Sequence, residues 1–272
     1  AEEQAKFLTG SLFRHVAVMS MTSSLGLMAI FLVDFVDMLF ISMLGQAELA
    51  AAVGYAGSIL FLTTSVSIGL AIAAGALVAR ALGAGESTRA QELGTHVILF
   101  GFVVSSIFAA LVWLNLERLS ALLGAEGDTL ALAVEYLQII VPSMPVLMVG
   151  MTSSAILRAH GDAKRAMWAT LWGSVVNGVL DPILIFGFGL DLTGAAMASV
   201  AARFTIAGVA VLAVIRHHGG FGHPSIGSIA HDLQKISGVA FPAMATNLAT
   251  PIGAAYVTAT MAEFGEEAVA GM

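Results

Sequence analysis

The chain has 272 residues, of which 58% are hydrophobic and 11% are charged, with a formal net charge of -7 and a mean hydropathy of +0.92. Soluble domains are typically about 25% charged, so the composition excludes an ordinary soluble protein and predicts a polytopic membrane protein. The few basic residues argue against a nucleic-acid partner. The lack of cysteine excludes disulfides and thiolate chemistry within these residues.

Apolar segments long enough to cross a bilayer recur along the chain. At about 20 residues per crossing, they predict an all-α bundle of seven membrane helices at 14–44, 47–80, 95–116, 129–157, 165–188, 193–216 and 236–262. Prolines inside helices four, five and seven remove backbone donors and predict kinks there. These prolines are Pro142, Pro145, Pro182, Pro242 and Pro251.

The basic residues predict the orientation, because Lys and Arg concentrate in short cytoplasmic loops. Nine of the eleven basic residues fall on the side of the N-terminus, Arg118 falls on the opposite side, and Arg203 lies inside helix six. We therefore expect a multi-pass protein of the cell (inner) membrane with a cytoplasmic N-terminus. This orientation argues against a heptahelical receptor or a retinal protein.

A short internal repeat explains the odd number of helices. The segment MLGQAELAAAVG after helix one resembles EFGEEAVAGM after helix seven, with Gly45 aligned to Gly265. Six helices then form one repeat, and the seventh opens another. The sequence predicts an N-terminal six-helix lobe at 1–220, followed at 221–272 by a linker and the first helix of an incomplete C-terminal lobe.

Three carboxylates stand inside otherwise uncharged apolar stretches, Asp34 and Asp37 in helix one and Asp181 in helix five. Ionisable groups are costly in lipid and point to a functional site. At about 1.5 Å per residue from the predicted helix ends, Asp37 and Asp181 lie roughly 10 Å below the outer surface. Asn177 shares a helix face with Asp181, and Ser199 lies at a similar depth. We predict that Asp37, Asp181, Asn177 and Ser199 form one cluster, and that Asp34 either joins it or faces another helix.

Such a cluster has two chemical uses. Burial beside a second carboxylate allows a carboxyl group to hold a proton near neutral pH, and the same oxygen atoms suit a hard cation. The predicted coupling ion is therefore H⁺ or Na⁺, with Asp37, Asp181 and Asn177 as ligands if it is Na⁺, and no other cofactor. In a purely structural alternative, each acid ties two helices together; that interpretation suits one such group better than three.

Two more charged residues in apolar helices are candidate modulators of this site. Arg203 either pairs with an acid or donates to helix-end carbonyls, and Glu135 either shares the site or reaches the surface by snorkelling. His217, His218 and His223 resemble a metal-binding tract, but neither cysteine nor an acid accompanies them within it. A solvated loop is the interpretation we favour for these histidines.

Several ordered segments resemble the multidrug and toxic compound extrusion (MATE) family, in particular its DinF-like branch. They are FVDMLFISMLGQAELAAAVG, SIGLAIAAGALVARALGAGE, ILRAHGDAKRAM and NGVLDPILIFGFGLDLTGAAMAS. The resemblance implies two six-helix lobes that export amphipathic or cationic drugs against an inward flow of H⁺ or Na⁺. It implies that Asp37, Asn177, Asp181 and Ser199 form the cation site, whereas Asp34 stands where a polar uncharged residue is common.

The resemblance also implies about twelve helices, and this chain supplies seven. A complete carrier needs both repeats around its central site, so the expected partners are the lipid bilayer, small amphipathic or cationic drugs and a C-terminal lobe. No Walker loop or nucleophile–base motif is present, so we expect no enzymatic activity. Two alternatives remain, a lipid-linked flippase of the same superfamily and a truncated, non-transporting membrane module.

Overall fold

The computed structural model describes residues 11–222 and 226–262. Over these ranges the backbone is helical and contains no strand, which confirms the predicted all-α membrane bundle. The described α-helices are α1 (Leu12–Met43), α2 (Ala47–Gly83), α3 (Ser87–Trp113), α4 (Leu116–Leu122), α5 (Gly127–Ile140), α6 (Met144–Ala159), α7 (Ala163–Pro182), α8 (Asp191–His217) and α9 (Ile226–Ala262).

Six crossings in the described part of the chain are long and apolar enough to span a membrane. They correspond to predicted helices one to six, with helix four formed by α5 and α6 together. The seventh predicted crossing falls on α9, whose last twelve residues include side chains outside the described set. The segment at 263–272 that suggested the repeat also lies outside the described residues, so the division into lobes remains a prediction.

Two of the predicted proline kinks are confirmed as breaks in helix geometry. Around Pro142 and Pro145, a 3₁₀ turn at Val141–Ser143 separates α5 from α6. After Pro182, α7 passes into a π-helical turn at Ile183–Gly187. In contrast, α9 remains helical through Pro242 and Pro251, where the sequence predicted kinks.

Helix ends differ from the prediction where the terminal turns are polar. Helix α3 begins at Ser87 rather than 95, and α9 begins at Ile226 rather than 236. Hydropathy detects only the part of a helix that suits lipid, whereas polar turns such as STRAQELG continue the same helix beyond it. The short helix α4 was missed for a different reason, because its seven residues are too few to register as a crossing.

The interior is built around α2, which packs against α3, α5, α6 and α9. Small residues permit this close packing: a Cβ atom at Gly69 of α2 would lie 2.7 Å from the backbone nitrogen of Met244 on α9. Helix α1 lies at the edge of the bundle, where it packs mainly on α7. This pairing brings the acidic segment of α1 beside the acidic segment of α7.

Candidate functional site

Asn177 bridges the carboxyl groups of α1 and α7. Its Nδ2 atom donates to both oxygen atoms of Asp37, at 3.0 and 2.9 Å, and to Oδ2 of Asp181 at 3.0 Å. The i, i+4 spacing of Asn177 and Asp181 places both on one face of α7, and Asp37 meets that face from α1. The structure therefore brings together the three residues that sequence analysis put at the centre of the cluster.

The Asp181 side of the cluster is sealed from solvent. Asp181 is 0% exposed and Asn177 is 3% exposed, whereas Asp37 is half-buried. The second oxygen of Asp181, Oδ1, is buried and has no hydrogen-bond partner among the described protein atoms. A buried polar atom without a partner is costly, and a proton or a cation on this carboxyl group would reduce that cost.

The break after Asp181 fixes its position at the end of α7. Pro182 ends the regular helix, and the π-helical turn that follows is a feature often found at functional sites. Helix α8 approaches this turn closely because Gly194 has no side chain: a Cβ atom there would lie 2.8 Å from the carbonyl carbon of Leu184. The local sequence thus holds Asp181 between α1, α8 and the π turn.

Tyr136 of α5 belongs to the same neighbourhood, and sequence analysis missed it. Its side chain is 8% exposed, interacts with the Ser199 hydroxyl, and is close enough to Asp37 and Asp181 to be influenced by their charges. Ser199 therefore lies beside Tyr136, and its membership of the cation site stays a prediction. A tyrosine in an apolar helix carries no formal charge, so a search for charges passes over it; its need for a polar partner when buried was the available signal.

Asp34 and Glu135 lie outside the Asn177 bridge. Asp34 is exposed on α1, one turn before Asp37 and near enough to feel its charge. Glu135 is also exposed and accepts a hydrogen bond from the Thr193 hydroxyl at 2.9 Å. The structure thus places Glu135 at the start of α8 rather than against the bridged carboxylates.

Arg203 of α8 is directed at the break between α5 and α6. Its Nη1 atom donates to the Ile140 carbonyl at 3.1 Å and to the Ser143 hydroxyl at 2.8 Å. The Ser143 hydroxyl in turn donates to the Ile140 carbonyl at 2.7 Å, so the three groups form one hydrogen-bonded set at the break. The described contacts of Arg203 are therefore with helix-end groups rather than with the acids of the cluster.

The histidine tract is partly ordered by an acid from another loop. His218 Nε2 donates to Oδ2 of Asp162 at 3.0 Å, its ring lies 4.5 Å from that of His160, and Arg165 pairs with the same carboxylate. His217 contacts the Ala213 carbonyl within its own helix, and His223 lies outside the described residues. No group of three or more metal-binding His, Cys, Asp or Glu side chains occurs in the described part of the chain.

Asp162 is expected to stabilise the fold only while it is ionised. Partial burial alone would raise the pKa of Asp162, but hydrogen bonds from Arg165 and His218 outweigh burial and hold the pKa below its usual value. The stabilisation is therefore complete above about pH 4 and disappears as the pH falls through the folded-state pKa. We expect Asp162→Asn, which keeps an N-cap side chain, to cost at most about 1 kcal/mol at pH 7, and we expect this cost to shrink as the pH falls below about 4.

Thermal melting of wild type and Asp162→Asn across this pH range measures the effect. Asp128→Asn, which changes an exposed carboxylate in the first turn of α5, is the matched control. A difference between wild type and Asp162→Asn that persists undiminished at pH 3 would rule out the carboxylate charge as its cause.

Comparison with known proteins extends these observations. The sequence model of the family described as MatE matches residues 22–183. The chain is 27% identical over 269 residues to the FAD transporter of Shewanella oneidensis, covering 97% of this chain and 59% of that protein. It is 26% identical over 196 residues to the multidrug export protein MepA of Staphylococcus aureus, covering 72% of this chain and 44% of that one.

Solved structures show the same helical arrangement. The chain superposes on a MOP superfamily transporter from Pyrococcus furiosus with a TM-score of 0.89 at 23% identity, and on a MATE transporter in complex with MaD3S with a TM-score of 0.85 at 24% identity. Each match covers 98% of this chain, and 60% and 61% of the respective structures. The chain thus spans about three fifths or less of the length of the relatives named here.

Proposed function

Since this chain belongs to the MatE family, we propose that it forms part of a secondary active efflux antiporter. The transporter exports organic, often cationic, compounds and is driven by inward flow of H⁺ or Na⁺ across the cell membrane. The Asn177 bridge between Asp37 and Asp181 is the observation that carries the proposal. It is a polar site between apolar helices, sealed on its Asp181 side, the kind of intramembrane site that transporters use for coupling ions.

The geometry of the bridge favours a proton as the coupling ion. Asn177 presents its amide nitrogen, a donor, to both carboxyl groups, so the space between them holds N–H groups rather than ligand oxygens. Two carboxyl groups that share one donor are most stable when one of them is protonated. The Asp37 and Asp181 side chains also interact directly with each other, and we assign the proton to that contact, where one carboxyl group donates and the other accepts. Sodium binding would require the Asn177 amide to turn over.

Flavin nucleotide export is the second candidate function. The relative named an FAD transporter aligns with 97% of this chain, against 72% for the multidrug export protein MepA. A lipid-linked flippase is less well supported, because it calls for free basic groups to hold pyrophosphate, and Arg203 is engaged by α5 and α6. If neither gradient drives transport of any substrate, the alternative of a non-transporting membrane module is favoured.

Transport by the complete encoded protein in proteoliposomes tests the proposal. Vesicles loaded with an organic cation such as ethidium, or with FAD, receive either an inward proton gradient at equal Na⁺ or an inward Na⁺ gradient at equal pH. We expect the proton gradient alone to accelerate loss of the organic cation. Protein-free liposomes under the same gradients give the background rate.

Each result of this assay has a defined meaning. If only the Na⁺ gradient accelerates loss of the organic cation, the antiporter proposal stands and the assignment of H⁺ as the coupling ion is overturned. Gradient-driven loss of FAD without loss of the cation would favour flavin nucleotide export. If neither compound responds to either gradient, the antiporter proposal fails.

A further inference from the structure

Three charged or titratable side chains join α3 to α9, away from the Asn177 bridge. Asp232 of α9 is completely buried; its Oδ2 atom accepts a hydrogen bond from His96 Nδ1 at 2.7 Å, and its Oδ1 atom pairs with Arg89. His96 is buried as well, whereas Arg89 is partly exposed and also pairs with Glu92 on its own helix, at 3.0 Å. The cluster therefore connects α3 to α9 through His96 and Asp232, which are 136 residues apart in the sequence.

This cluster is electrostatic in character. Asp232 precedes the predicted crossing at 236–262. Burial alone would raise the pKa of Asp232, but hydrogen bonds from Arg89 and His96 outweigh burial and hold the pKa below its ordinary value. Asp232 is therefore ionised at neutral pH. Removing one partner from a buried ion pair leaves an uncompensated charge, which strongly disfavours the closed arrangement.

Apolar packing beside the cluster is incomplete. An apolar groove of about 280 Å³, partly open to the outside, lies between α3 and α9. It is lined by His96, Leu99, Phe100, Val103, Leu233 and Ile236. The Nε2 atom of His96 is buried without a partner among the described atoms. The start of α9 is therefore held against α3 by the charged cluster together with one well-packed apolar side chain, Ile236, which is buried in the core.

Farther along α9, beyond the buried residues Ile236 and Ala240, a contact of the opposite kind occurs. At Gly69 of α2, the Met244 backbone lies so near that a Cβ atom would be 2.7 Å from its nitrogen and 2.9 Å from its Cα. Met244 is twelve residues beyond Asp232, which is about 18 Å along a helix. A tight backbone contact and a breakable charged contact are thus separated by more than three helical turns.

We propose that Arg89, His96 and Asp232 form a latch between α3 and α9, whose release lets α9 pivot about the Gly69–Met244 contact. The inference rests on the proposed function, because alternating access requires α9, the first helix of the predicted second lobe, to move relative to the first six. The latch holds the state in which the start of α9 is seated on α3. Opening admits water to the groove and solvates the three side chains.

A distance measurement tests the latch without requiring transport. These 272 residues contain no cysteine, and any cysteine elsewhere in the complete protein is first replaced by serine. Spin labels are then placed at Thr88→Cys on α3 and His231→Cys on α9, both exposed positions. In the complete protein in lipid nanodiscs, we expect Asp232→Asn to raise the ratio of long to short label distances at least tenfold. A reference pair at Thr88→Cys and Lys164→Cys, outside α9, is expected to keep its distance.

The matched control is Glu92→Gln, which removes the other acidic partner of Arg89 but no contact with α9. The latch is supported if Asp232→Asn shifts the α3–α9 distances and Glu92→Gln does not. It is overturned if Asp232→Asn leaves them unchanged, if both variants shift them equally, or if the reference pair shifts as well. Should Asp232→Asn fail to give a monodisperse protein, Arg89→Gln decides by the same criteria.

The outcome is separable from that of the transport assay. If Asp232→Asn opens the latch but the wild type transports neither ethidium nor FAD, the latch stands as a conformational contact and the antiporter proposal fails. If the wild type transports but the α3–α9 distances are unchanged in Asp232→Asn, the antiporter proposal stands and the latch proposal fails.

Discussion

Asp181→Asn is expected to reduce gradient-driven efflux at least about tenfold while the protein still inserts and folds. Asparagine has nearly the shape of aspartate and can still accept the hydrogen bond from Asn177 at its amide oxygen, so packing is preserved. It cannot bind a proton in the physiological range or carry a negative charge. Each loss of about 1.4 kcal/mol in binding free energy is a factor of ten in the dissociation constant of the ion, and the site loses its buried ion-binding group altogether.

Asp37→Asn is expected to act in the same direction, because Asp37 is the other carboxyl group held by Asn177. The matched control is Glu117→Gln, which neutralises an exposed carboxylate on α4. Initial rates of ethidium loss under an inward proton gradient, normalised to the protein inserted, measure all three variants. If both Asp37→Asn and Asp181→Asn export ethidium at the wild-type rate, these carboxyl groups play no part in coupling.

The central residues of the site were accessible from sequence because two simple regularities apply to them. Charged residues in apolar helices are conspicuous, and helix periodicity puts Asn177 and Asp181 on one face. Depth counting then set Asp37 and Asp181 at a similar level in two helices. The pairing of α1 with α7, which brings Asp37 to that face, came from the family resemblance and not from periodicity.

The α3–α9 cluster could not be found by the same reasoning. The helix starts predicted from hydropathy were residue 95 for helix three and residue 236 for helix seven. Arg89 and Asp232 were therefore assigned to loops, and His96 to a helix end. A polar residue in a loop needs no explanation, and nothing in the sequence indicates that two such turns are buried against each other. Contacts between residues more than a hundred positions apart depend on tertiary packing, which neither propensity nor charge patterning specifies.

Gly69→Ala is expected to be the most destabilising single-methyl change in α2. The added Cβ would lie 2.3 Å from the Met244 Cγ atom, 2.7 Å from its backbone nitrogen and 2.9 Å from its Cα. A side chain can change rotamer, but a helix backbone has to move as a unit, so α2 and α9 must separate. Overpacking of this kind typically costs about 1–3 kcal/mol, and it would also loosen the proposed pivot.

Gly57→Ala provides a matched comparison on the same helix. A Cβ atom at Gly57 meets nothing within 4 Å, and the position is exposed, so the methyl group adds helix propensity without a clash. Thermal unfolding of the two variants beside wild type in the same detergent should lower the Tm of Gly69→Ala and leave that of Gly57→Ala unchanged or slightly raised. Equal melting temperatures for the two variants would mean that α2 and α9 are not in backbone contact at Gly69, and the pivot of the latch would have to lie elsewhere.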